Sequence, residues 1–164
     1  MKTRRALMLV VALGALALTA SALARSGHSA AGTVVTTKKT ALGTILVTGS
    51  GKTLYLDVHD KTGHPACKGG CLAIWPPLKA GGTVTASGQA KKSLLGTIKT
   101  SGGIKQVTYN KHPLYTFASA GGKGTSGQGV NGFWVMSATG AKITKKAGTH
   151  TTTNTTTTST GYGY

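Results

Sequence analysis

Six side chains within a short stretch have the types and spacing to do chemistry: Asp57, His59, Asp60, His64, Cys67 and Cys71. Carboxylate, imidazole and thiolate are the common ligands of zinc and copper. Their spacing matches no established zinc motif, so a ligand set of Asp57, His59, Asp60 and His64 stands only as a weak alternative. A second chemistry sits in Cys67-Lys68-Gly69-Gly70-Cys71, where two glycines give the backbone the freedom a very short covalent loop needs. Whether these thiols are ligands or bonded to each other depends on the compartment.

The elements that must position these residues flank them. Thr53 to Val58 is rich in aromatic and β-branched residues and lies between Gly49-Ser50-Gly51-Lys52 and Lys61-Thr62-Gly63, the pattern of a short strand between turns. Alternation along that strand puts Tyr55, Asp57 and His59 on one face and sets Asp57 and Asp60 on opposite faces. No other carboxylate exists, which argues against glycosidase or aspartic-protease chemistry, where two carboxylates face a common point. After the cysteines, Trp75-Pro76-Pro77-Leu78 stops any helix or central strand. A rigid extended corner is expected there, with Trp75 packed inward.

The compartment is read from the amino terminus. Lys2, Arg4 and Arg5 precede an apolar run from Ala6 to Ala20, and Ala22-Leu23-Ala24 before Arg25 fits a small-x-small cleavage site. Residues 1–24 therefore read as a secretory signal, with Ala20-Ser21-Ala22 as an alternative site. The run is shorter than the roughly 20 residues needed to span a bilayer, so the mature chain is not expected to be transmembrane. It is placed outside the cytoplasm, secreted or associated with the cell envelope. In an oxidising compartment an isolated cysteine pair is expected to be a disulfide, Cys67 to Cys71.

Nineteen of the 164 residues are Lys or Arg and two are acidic, giving a formal charge of +17. Only three of the basic residues leave with the signal, so the basicity belongs to the mature protein. The eleven lysines between Ala41 and Thr144 are dispersed rather than gathered in a run. For an exported chain such charge reads either as a simple solvated basic surface or as a surface for an anionic cell-envelope polymer or lipid partner, with nucleic acid not expected. Glycine, at 25 residues, with abundant threonine argues for strands joined by turns. Residues 25–40 read as a flexible leader, 41–144 as the folded domain, and 145–164 as a Thr-rich disordered tail too poor in apolar residues to offset its ordering entropy.

Inside the domain the chain repeats. Val47-Thr48 and Leu54-Tyr55 recur sixty positions later as Val107-Thr108 and Leu114-Tyr115, and Tyr55 to Trp75 matches Tyr115 to Trp134 within one residue. Two copies of about 60 residues follow. Each is expected to be a hairpin, Ile45–Thr48 with Thr53–Val58 and Val107–Tyr109 with Leu114–Phe117, the second followed by a closing strand from Val130 to Met136. The fold class is all-β with antiparallel sheets, and Tyr55, Trp75, Tyr115 and Trp134 are expected as equivalent core positions.

These residues resemble a family of secreted repeat lipoproteins of unknown function that carry a Tyr-x-(Phe/Trp/Tyr)-x-x-Asp motif. The resemblance rests on Tyr55 and Asp60, the C-x3-C pair with Trp75, Pro76 and Pro77, and Tyr115, Phe117 and Trp134 in the second copy. The copies depart in complementary ways: the first has Asp57 in the aromatic position and the second has Ala120 in the acidic one. A lipid-attachment cysteine near the cleavage site is missing. The resemblance implies a fold and an extracytoplasmic location rather than a reaction.

Enzymatic signatures are wanting. No G-x-S-x-G elbow occurs, and Gly127 to Gly132 lacks the Lys-Ser/Thr of a phosphate loop and reads as a glycine-rich turn. The chain is read as a non-enzyme without cofactor that contacts anionic envelope components. A small periplasmic metal- or redox-associated protein using the first repeat is the second reading.

Overall fold

The computed structural model describes residues 32–145. The expected signal sequence, residues 1–24, and nearly all of the expected tail, 145–164, lie outside them. Eight strands follow in order: β1 Thr33–Thr40, β2 Gly43–Thr48, β3 Tyr55–Asp57, β4 Val84–Ala86, β5 Leu95–Lys99, β6 Lys105–Tyr109, β7 His112–Pro113 and β8 Phe133–Val135. One four-residue helix, α1 Cys71–Ile74, precedes Trp75. The sheets run β2-β1-β4, β3-β8 and β5-β6-β7. All pairings between strands are antiparallel except β1 with β4, which is parallel.

Thr33 to Thr40 is a correction to the expected flexible leader. It pairs with β2 from Val35↔Thr48 to Thr40↔Gly43 and with β4 through Thr33↔Val84, Val34↔Thr85 and Val35↔Ala86. The run Thr33-Val34-Val35-Thr36-Thr37 is β-branched, and two partner strands supply the ladder that such a polar segment cannot form alone. The β6–β7 hairpin turns on Asn110 and Lys111, both with positive φ (48° and 66°), the left-handed pair that a tight two-residue hairpin requires.

The duplication is visible in the hydrogen bonds. In the second copy the Leu78 N–H donates to the Leu114 carbonyl, the Leu114 N–H to Val107 and the Val107 N–H to Leu78, at 2.8, 3.0 and 2.8 Å. In the first copy Met136 donates to Leu54, Leu54 to Leu46 and Leu46 to Met136, at 3.1, 3.0 and 2.8 Å. Each ring thus borrows one residue from the other half of the chain. At the centre Tyr55 and Tyr115 exchange both main-chain bonds, at 2.9 and 3.0 Å.

The strands meeting here are buried on both faces, and the period of two sorts their side chains into two cores. Ile45, Val47, Tyr55, Phe133 and Val135 join Trp75, Tyr115 and Cys67 in an aromatic core. Leu46, Leu54, Leu56 and Met136 join Val107, Tyr109 and Leu114 in an aliphatic one.

Trp134 is the second correction. It belongs to the opposite face of β8 from Phe133, is half-buried, and carries the Lys142 ammonium 5.9 Å from its ring centre. Phe133 holds the position expected of it. The Trp75 and Phe133 rings stack at 3.9 Å with 5° between their planes. Tyr55 meets Trp75 edge-on at 5.2 Å, and Tyr115 meets Phe133 edge-on at the same distance. The hydrogen-bond rings give the reason: Leu78 matches Met136, so the residue three before each, Trp75 or Phe133, is the true counterpart.

Candidate functional site

The chemistry-bearing stretch forms a corner where β3 ends. Asp57, 4% exposed, is the last residue of β3, and its Oδ1 accepts the His59 main-chain N–H at 3.0 Å and lies 2.7 Å from His59 Nδ1. The His59 ring is largely exposed and packs over Gly132, whose φ of +85° and missing Cβ make room for it.

The chain then turns, so Asp60 is carried by a loop rather than by the strand. This replaces the expected placement of Asp57 and Asp60 on opposite strand faces. Asp60 Oδ1 accepts the Ala66 N–H at 2.7 Å and the Tyr115 hydroxyl at 3.2 Å. Its Oδ2 is buried without a protein partner. Burial raises the Asp60 pKa to about 6, against the opposing pull of the Ala66 and Tyr115 hydrogen bonds; the nearby Asp57 charge adds to the rise. Burial and the Asp60 carboxylate together push the Tyr115 hydroxyl far up, and burial raises Tyr55.

Asp60 of the first copy therefore clasps Tyr115 of the second. The reciprocal acid would stand at Ala120, and the Tyr55 hydroxyl instead reaches the Gly124 carbonyl at 3.4 Å. Phe117, in the aromatic position of the expected motif, lies against Trp75 at 4.5 Å. Pro76 and Pro77 lead away from Trp75, with Pro77 bridged to Tyr115. These residues thus build the joint between the copies.

Cys67 and Cys71 form a disulfide with Cα atoms 5.4 Å apart. Cys67 is buried in the aromatic core. The bond occupies both sulfurs, and among the described residues no three His, Cys, Asp or Glu side chains gather as a metal site. Asp57, His59 and Asp60 are neighbours; His64 is exposed and its main chain pairs with Lys61. Among the described residues the hydrogen-bond partner of the His59 ring is Asp57.

Two residues carry structural weight that the sequence reading missed. Gln106, 1% exposed, donates through Nε2 to the Leu114 carbonyl at 2.9 Å and lies where the first copy has Ile45. Gln128 accepts the Val135 N–H at 2.8 Å and donates to the Ile143 and Lys145 carbonyls, clasping the end of the described chain onto β8. The clue for Gln128 was its place in a glycine-rich turn, which frees a side chain to reach main chain on both sides.

The surface is otherwise a field of lysine. All fourteen lysines of residues 32–145 are exposed, while the only two carboxylates are turned inward at the corner just described. Among the described residues the single ion-pair contact is that of His59 with Asp57. An open groove of about 680 Å³ lies between Thr33–Val34, the Thr48–Lys52 turn and Pro76–Lys79, with Lys52 and Lys79 on it. Neither Tyr55 nor Asp60 lines it.

A family model described as a secreted repeat of unknown function matches residues 36–79 and 96–137, more than half of the chain. The two matches start 60 residues apart, in β1 and in β5, and end 58 apart, the same offset that relates Trp75 to Phe133. The chain belongs to this family. No curated protein and no solved structure matches it. Among the described residues no helix is long and apolar enough to cross a membrane.

Proposed function

We propose that this secreted repeat protein is a non-enzymatic adhesive domain that holds to anionic cell-envelope polymer or lipid headgroups through dispersed lysines. The observation that supports it best is the segregation of charge: fourteen lysines point to solvent, and the two aspartates are engaged by His59, Ala66 and Tyr115. Nothing on the described surface opposes an anion. Lysine is a compact, hydrated point charge on a flexible stem, suited to a polymer or a headgroup layer of variable geometry rather than to one planar ligand.

Each lysine that reaches an anionic surface contributes about 1 kcal/mol, so several must act together. Attraction of this kind is screened over about 8 Å at physiological ionic strength. Cosedimentation of the exported protein with anionic vesicles and with purified wall polymer over a salt series tests the reading. Binding should weaken steeply with salt and be absent on neutral vesicles. Binding that persists in molar salt refutes it and indicates a discrete pocket.

A further inference from the structure

The two copies treat their outer strands differently. In the first copy the outer edge of β1 is covered: Thr33 donates to Thr83, Ser87 donates to Val35, β4 pairs alongside, and the Gln89 N–H reaches the Thr37 hydroxyl. The counterpart of β1 in the second copy is β5, with Thr97 in the place of Thr37. Its inner edge pairs with β6 from Leu95↔Tyr109 to Lys99↔Lys105. The bonds Asn110 N–H to Leu94 and Thr100 N–H to Ile104 fix the phase of that ladder. Thr97 and Lys99 therefore turn their N–H and C=O groups outward, and among the described residues nothing pairs with them.

Two adjoining hollows flank this strand. One, of about 320 Å³, lies between Gly82–Val84 and Leu95–Thr97 and is lined also by Lys92 and Lys105. The next, of about 400 Å³, shares Thr97 and Lys105 with it and adds Lys99. Thr97 and Lys99 thus present an open edge, with β4 close by on the Leu95–Thr97 side, exposed Lys92, Lys99 and, across on β6, Lys105 nearby, and no carboxylate lining either hollow.

We propose that the outer edge of β5 is a docking edge for an extended acidic peptide segment of a partner protein, which joins the β5-β6-β7 sheet as an added strand. Main-chain donors and acceptors at strand spacing recognise an extended peptide, whereas a polyanion without N–H groups would leave the Thr97 and Lys99 carbonyls unused. Alternate side chains of the added strand face the lysines, and carboxylates there meet Lys92, Lys99 and Lys105. The same lysines oppose a second copy of this chain, whose own β5 would bring like charge to the edge. This goes beyond envelope adhesion, which needs no open edge.

The test uses the exported protein and a dye-labelled nine-residue peptide of alternating glutamate and valine, with a fully backbone N-methylated version of equal charge. Anisotropy should show the plain peptide binding at least tenfold more tightly than the methylated one. Thr97→Pro removes an outward N–H without touching the β6 ladder, a position an edge strand tolerates. It should lose at least tenfold in peptide affinity while still sedimenting with anionic vesicles like the parent. Equal binding of the two peptides by the parent protein, which needs no variant to fold, or no binding of the plain peptide, overturns the proposal. Loss of vesicle binding with peptide binding intact would instead remove the adhesive reading and leave this one standing.

Discussion

Replacing Trp75 and Trp134 separately by alanine distinguishes the core seen in the structure from the one that sequence matching suggests. Trp75 is 1% exposed and touches three other rings: Phe133 at 3.9 Å, Phe117 at 4.5 Å and Tyr55 at 5.2 Å. Gly127 also lies against it, since a Cβ there would stand 2.7 Å from the indole. Truncating a buried Trp costs about 3–5 kcal/mol, and its aromatic contacts place Trp75→Ala toward the upper part of that range. Its indole N–H has no protein partner, so removing that group returns some of the loss, and about 4 kcal/mol remains. At about 4 °C per kcal/mol for a domain of this size the melting temperature should fall by about 15 °C. Phe133→Ala, which takes away the other half of the stack, should fall by about 10 °C or more. Trp134→Ala loses contact with Lys142 and the Gly129 main chain on a half-exposed face, about 1 kcal/mol or about 4 °C. Thermal unfolding followed by circular dichroism measures all three. A Trp134→Ala variant that melts as low as Trp75→Ala refutes the pairing of Trp75 with Phe133.

Other consequences concern the disulfide and the acidic corner. Cys67→Ser with Cys71→Ser should lower stability by about 2 kcal/mol on the loop-entropy estimate; mass analysis of exported protein, alkylated before and after reduction, should show both thiols masked until reductant is added. Asp60 has a folded pKa of about 6, above its unfolded value of about 3.9, so the folded state binds the proton more tightly. Its contribution is full below about pH 4 and is lost as pH rises through about 6. Melting temperature relative to Asp60→Asn should therefore decline between pH 4.5 and pH 7.5, and a constant difference between the two proteins would refute the assignment.

Much of the fold was legible because strong local signals agreed with their tertiary setting. Thr53 to Val58 sits between glycine turns, and its alternation puts Tyr55 in one core and Leu54 and Leu56 in the other. The C-x3-C loop and the prolines after Trp75 likewise carry local instructions, one for a short bridge and one for a corner. β1 was hidden because its lysines and threonines show no apolar alternation; what makes it a strand is pairing on both edges, which is not a local property. Phe133 was hidden by a two-residue difference in spacing between the copies, which drew Trp75 toward Trp134 as a matching letter although it lies on the wrong face of β8. The clasp of Asp60 on Tyr115 crosses 55 residues, and no spacing within one copy announces it. The exposure of the lysines followed from composition, whereas the open edge of β5 depends on where residues 83–89 settle.

Whether dispersed charge carries adhesion is tested most directly by measuring affinity for anionic vesicles as lysines on different faces are replaced by glutamine, singly and then in combination. Lys52, Lys79, Lys99, Lys111, Lys123 and Lys142 are all exposed and occupy separate elements or turns. The prediction is a stepwise decline of about fivefold for each lysine in contact, equivalent to about 1 kcal/mol, with no single replacement abolishing binding and with Asp60→Asn leaving it unchanged. Complete loss on replacing one lysine, or on Asp60→Asn while the lysine variants bind like the parent, would contradict it.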